Sequence, residues 1–209
     1  MLGKTNRSHL LDQALSETVT MIEKAEQVFA IAWDKLTEGP NDTPFRKLDD
    51  DINAGERMVR RLILEHLTLN PDQDLAFSLT LISVVHDVER LGDYAKSIVE
   101  LSGWAGTPLS KEGLGGKCFE LHEQIAPMFQ LTIQAIRDDN VDKASALMDQ
   151  HRVVKAGTDE VARLGLSEGQ SPDTVLAVLV SRFLRRISAH LSNVTSVVAN
   201  SFDRVARDL

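Results

Sequence analysis

The chain of 209 residues is poor in the residues that interrupt helices or build sheets. Its 12 glycines and 6 prolines amount to about 9% of the sequence against an ordinary 12% or so, and aromatic residues make up only 5%. Sandwiches and barrels need frequent turns and favour aromatic and β-branched residues, so this scarcity argues for helices. A single cysteine, Cys118, excludes an internal disulfide and a thiolate cluster for zinc or iron–sulfur, and is expected to be a buried thiol in a reducing compartment. There is no basic excess: 23 Lys and Arg face 31 Asp and Glu, a net charge of −8, so a phosphate-neutralising face for nucleic acid is not expected. No run approaches the 18 or so apolar residues of a membrane span, and the first nine residues lack the apolar stretch of a signal peptide. A cytoplasmic protein is expected.

What is present is helical periodicity. Leu11, Leu15, Val19, Ile22, Ala25, Phe29 and Trp33 alternate at four and three spacing, one face of a helix from about His9 to Leu36, ended by Glu38-Gly39-Pro40. Thr43-Pro44, Asn70-Pro71 and Ser171-Pro172 each resemble an N-cap followed by a first-turn proline. They predict a second helix to about Leu69 with Phe45, Leu48, Ile52, Val59 and Ile63 inward, a third to about Ser102, and a sixth to about Arg207. The glycine-rich stretch from Gly103 to Gly116 divides the chain; a fourth helix from about Lys117 to Asp138, bearing Pro127, and a fifth from about Val141 to Leu164 lie between. Superposing Arg90 on Arg186 pairs Leu91 with Ile187 and Ile98 with Val194, an internal repeat. The expected fold is all-α, two tandem three-helix bundles in a spectrin-repeat-like arrangement, with domains at 1–104 and 105–209.

On the third helix Leu75, Leu79, Ile82 and His86 form a stripe that continues to Glu89 and Asp93; on the second, Asp49, Asn53 and Glu56 follow four-then-three spacing beside apolar positions. Antiparallel packing would bring Asp49, Asn53, Glu89 and Asp93 near one another. Carboxylates at such an edge need compensation, and an oxygen-only donor set suits magnesium, calcium, manganese or oxidised iron. The same spacing fits a solvated edge paired with Arg57, Arg60, Arg61 and Arg90, and both readings stand.

Glu89-Arg90-Leu91-Gly92-Asp93 resembles the E-R-[IL]-G-D signature of PhoU proteins, and Asp49 to Glu56 is similar to their other acidic motif. The resemblance implies two tandem three-helix bundles over nearly the whole chain and a non-enzymatic regulator of phosphate uptake and phosphate-starvation signalling. Its implied partners are a phosphate transporter and a membrane histidine kinase, met at the inner membrane surface, with a homodimer as the expected assembly. It also implies metal, iron in particular, with zinc, manganese and magnesium open, on Asp49, Glu89 and Asp93. Asn53 stands at a position that is often acidic, and Glu56 is a further candidate ligand. In the second repeat Arg185 and Ala189 replace the signature acids, and Val153 falls opposite Asn53 if Asp149 matches Asp49, whereas His190 and Asn193 keep the pattern E-R-I-G-D-H-x-x-N. Positive charge there opposes a cation, so any metal is expected once, on the first bundle. Rival readings are a metal-free interaction bundle, with Trp104 and Leu109 as exposed contacts or tucked between bundles, and a phosphotransfer bundle using His86, which the packed stripe would otherwise bury. Paired Glu-x-x-His ligands, a second zincin histidine (Ala126 stands there) and a strained serine turn are all missing, so no enzyme is expected.

Overall fold

The structure is a computed structural model that describes residues 8–39, 41–167 and 171–199; the expected end of the last helix at Arg207 lies outside them. Six α-helices follow one another: α1 His9–Glu38, α2 Arg46–Leu69, α3 Leu75–Ala105, α4 Gly113–Asp138, α5 Val141–Ser167 and α6 Pro172–Ala199. Among the described residues there is no strand.

Helix starts are where the sequence pattern misleads. Of the three cap–proline signals only the last works, Ser171 Oγ accepting the Thr174 N–H at 3.1 Å. The second helix opens at Arg46 behind Phe45, with no side-chain cap, two residues beyond Thr43-Pro44. Asn70-Pro71 does not open the third helix. Asn70 instead ends α2, its N–H bonded to His66 O at 2.8 Å, and α3 starts only after Asp74 at φ 52. The reason is His66: its ring is fully buried between Ser8 Oγ at 2.7 Å and the Gln73 carbonyl at 2.9 Å, which ties the 70–74 turn to the start of α1. The fourth helix begins at Gly113, four residues early, because the glycines are an approach rather than a linker. A Cβ at Gly115 would run into the Ser110 carbonyl oxygen, and one at Gly116 would stand 2.6 Å from Lys111 O. The helix passes through Pro127.

The stripe expected of α3 is also displaced. Leu75 and Leu79 are exposed, as is His86, while Leu81, Val84, Val85, Val88, Leu91, Ala95 and Ile98 are buried. α3 packs on α1, α2 and α6 at once, so its apolar surface is broad and one stripe cannot represent it.

Helices α1, α2 and α3 pack on one another, and so do α4, α5 and α6. The two groups are joined by α3 on α6 and α1 on α4, and their apolar side chains form one continuous core. At the joint Trp33 stacks on His122 (4.0 Å between ring centres, 8° between planes) and Phe29 lies against Phe129. Full burial of each such phenyl ring contributes about 1.5–3 kcal/mol. Burial pushes His122 down to about 4, so the ring is neutral against the indole. On the other side of the joint His190 stacks on Tyr94, its Nδ1 lies 2.6 Å from Asp87 Oδ1, and Asn193 Nδ2 donates to the same oxygen at 3.0 Å. His190 and Asn193 thus serve the contact between helix groups. Leu109 is buried, its N–H held by Leu36 O at 2.9 Å, whereas Trp104 is 76% exposed.

Candidate functional site, a carboxylate seam

The acidic residues singled out from spacing lie along the line where α2 and α3 run antiparallel. Gly92 makes that line possible: a Cβ there would stand 3.1 Å from Ile52 Cδ1 and 4.0 Å from Asp49 Oδ1, so Ile52 seats over the bare backbone and Asp49 is drawn in behind it. The glycine of the Glu89–Asp93 segment is thus a spacer for the two carboxylate-bearing helices.

From one end of the seam to the other, Asp49, nearly buried, accepts from Lys96 Nζ at 3.1 Å. Asn53, half-buried, follows one turn along α2. Glu56 accepts from Arg60 at 2.8 Å and faces His86 Nδ1 at 3.7 Å. Across from it on α3, Glu89 Oε2 is buried and receives no hydrogen bond, with His86 Nδ1 and Arg90 Nε each 3.6 Å away. Asp93 accepts from Arg90 Nη1 at 2.9 Å. Burial, then the Asp93 charge and after it that of Glu56, hold the Glu89 carboxyl above the usual carboxylate range against the pull of Arg90 and His86. Lys96 is raised, first by the hydrogen bond it donates to Asp49.

Antiparallel packing therefore places Asp49, Asn53, Glu89 and Asp93 on one seam, as expected, with Glu56 beside them, but each acid except Glu89 has a hydrogen-bonded cation. Among the described residues no group of three or more His, Cys, Asp or Glu is placed to hold a metal ion. The donor set is chemically suited to a hard cation, and the partnerless Glu89 oxygen is its one open position. Acidic spacing alone does not single out Lys96; its signal is its place three residues beyond Asp93 and seven beyond Glu89, on the same face of α3.

The second helix group repeats this geometry with other residues. Gly157 approaches Leu121 of α4 as Gly55 approaches Met21 of α1. In this register His151 stands where Asp49 does, and its Nδ1 lies 3.0 Å from the hydroxyl of Ser188, which replaces Gly92. This corrects the match of Asp149 to Asp49: Asp149 is exposed and paired with Arg152, and Lys155, not Val153, falls opposite Asn53. Arg185, in the place of Glu89, is bound to Asp159.

The PhoU domain matches residues 11–102, the three helices that carry the seam. The whole chain is similar in structure to PhoU from Pseudomonas aeruginosa, at 19% sequence identity and a TM-score of 0.79, over 96% of this chain and 98% of that one. Among curated protein sequences none matches it. No helix among the described residues is long and apolar enough to cross a membrane.

Proposed function

We propose, from the PhoU domain matched over its first three helices and the fold shared with PhoU, that the chain restrains phosphate uptake and phosphate-starvation signalling by contact with a phosphate transporter or its sensor histidine kinase. The observation that carries this reading is the coincidence of the PhoU domain match with the seam built by Gly92, Asp49, Glu89 and Asp93, inside a fold shared with PhoU along its length. The family is a regulatory one, and the protein acts by binding rather than by catalysis. Its place is the cytoplasmic side of the membrane, as a homodimer.

The finer part of the proposal is a metal ion on the first bundle, iron before zinc, manganese or magnesium. Glu89, Asp93 and Asp49 would hold it, with Asn53 and Glu56 beside them. Such an ion would neutralise the repulsion that raises Glu89 and take over the roles of Lys96 and Arg90. A second reading, a metal-free interaction bundle, is favoured by those same two cations, which already satisfy Asp49 and Asp93.

Deleting the gene in its own host tests the regulatory role. Phosphate uptake and a phosphate-starvation reporter should rise in phosphate-rich medium and return to normal on complementation; unchanged uptake and reporter would refute it. Elemental analysis of the untagged protein beside the Glu89→Ala/Asp93→Ala double variant separates the metal from the metal-free reading. Stoichiometric metal in the first and none in the second supports the cluster, and none in either after loading with each ion removes it.

A further inference from the structure

The α5–α6 seam has the geometry of the carboxylate seam and the opposite charge. His151 replaces Asp49, Lys155 replaces Asn53, Arg185 replaces Glu89, and Ala189 removes the acid at Asp93. Arg186 on the next position and Arg182 one turn before it are exposed and have no ion pair among the described residues, nor has Lys155. Among the described residues only Asp159, on Arg185, is paired with this group. From Arg182 to Ala199 α6 carries no Asp or Glu, in a chain whose net charge is −8. Like charges gathered on facing helices repel, and their arrangement wants an anion as the first seam's acids want cations.

We propose that the α5–α6 seam is a binding site for a tetrahedral oxyanion, a phosphoryl or sulfate group, held by Lys155 and Arg185 with Arg186 at its edge and His151 behind. Arginine forks and a lysine from two helices present donors in several directions, which matches an ion with acceptors on all sides better than a planar carboxylate. The Ser188 hydroxyl donates to Arg185 O at 3.0 Å, so its oxygen must accept from His151, whose Nδ1 therefore carries the proton. Burial first, then Arg185 and Lys155, holds this imidazole below its usual range. From α4, the charge paired with α5 is Lys117 on Glu160, more than two turns away along α5. A bound anion offsets the two cations and lets His151 take up a proton. Affinity for sulfate, whose charge is constant near neutrality, therefore rises as pH falls.

Titration calorimetry of the full-length, chelator-treated protein with sulfate and with inorganic phosphate tests the site. One saturable site is expected for each, weakened about tenfold in Arg185→Gln and in the exposed, fold-neutral Lys155→Gln. Binding should be unchanged in Glu89→Ala/Asp93→Ala, which separates it from any metal on the first seam. Tighter sulfate binding at pH 6 than at pH 8 should be lost in His151→Gln. No saturable binding, or binding indifferent to both α5–α6 variants, overturns the proposal. So does flotation with phosphatidylglycerol vesicles without binding of either free ion, which would make the face a lipid contact.

Discussion

Gly115→Ala puts the start of α4 to a quantitative test. The new methyl meets the Ser110 carbonyl oxygen, with Leu109 Cδ1 at 3.5 Å beside it. Segment 109–111 cannot simply retreat, because Leu109 is 4% exposed and its N–H is bonded to Leu36 O at 2.9 Å. Moving it aside gives up that hydrogen bond, about 1 kcal/mol, and part of the roughly 1.5–3 kcal/mol from burying a leucine. Alanine returns about 1 kcal/mol of helix propensity. The hydrogen bond and the propensity gain cancel, so the net loss is about 1 kcal/mol, and for a chain of this size that lowers Tm by about 2–4 °C. Gly103→Ala is the internal control: it lies in α3 with nothing within 4 Å of the added carbon, so the same change should raise Tm by about 2–4 °C. Thermal melts followed by far-UV circular dichroism read both. A Gly115→Ala protein as stable as wild type would mean that the 109–111 loop has room there, and the reasoning about the helix start would fail.

Lys96→Met leaves the Asp49 carboxylate, at 12% side-chain exposure, without its cation and should cost about 1–2 kcal/mol. Adding Asp49→Asn should recover most of it, and a double-mutant cycle with no coupling would show that the pair does not stabilise the seam. His122 titrates at about 4 when folded and near 6.5 when unfolded, so its neutral form stabilises the fold above the unfolded value. That stability drains away as pH falls from about 6.5 towards 4, where the unfolded chain binds the extra proton. Denaturant unfolding across this range should show a flatter acid limb in His122→Leu; identical slopes would refute the assignment. Glu89→Gln removes the charge that burial and Asp93 oppose, so it should leave the metal-free protein as stable as wild type or more so. A loss above about 1 kcal/mol would mean that the ionised side chain has a partner in solution.

Helix number, helix order and the inward faces of α1 and α2 were legible because they rest on local periodicity, whereas the broad apolar surface of α3 was not. Phe29, Ile52 and Ile63 are buried where the spacing puts them. The acidic seam was legible for the same reason: four-and-three spacing puts Asp49, Asn53 and Glu56 on one side of α2, and Glu89 and Asp93 on one side of α3. What misled were signals whose meaning depends on distant residues. Asn70-Pro71 has the pattern of a helix start, yet the turn belongs to His66 and, through it, to Ser8, 58 positions earlier than that histidine. Gly113, Gly115 and Gly116 have the pattern of a linker, yet they lie in α4, with the Ser110 and Lys111 carbonyls against Gly115 and Gly116.

The sequence by itself determined that six amphipathic helices form, that they come as a repeat, and which carboxylates face one another, since these follow from periods of a few residues along one chain. The tertiary structure alone decided the partners that lie far along the chain: Lys96 on Asp49, a buried Glu89 oxygen with nothing to accept from, and His151 rather than Asp149 as the counterpart of Asp49. Side-chain reach and helix register are set by packing across the bundle, where Gly92 lets α2 come close and Gly55 and Gly157 align the two halves. Local spacing carries no record of that contact.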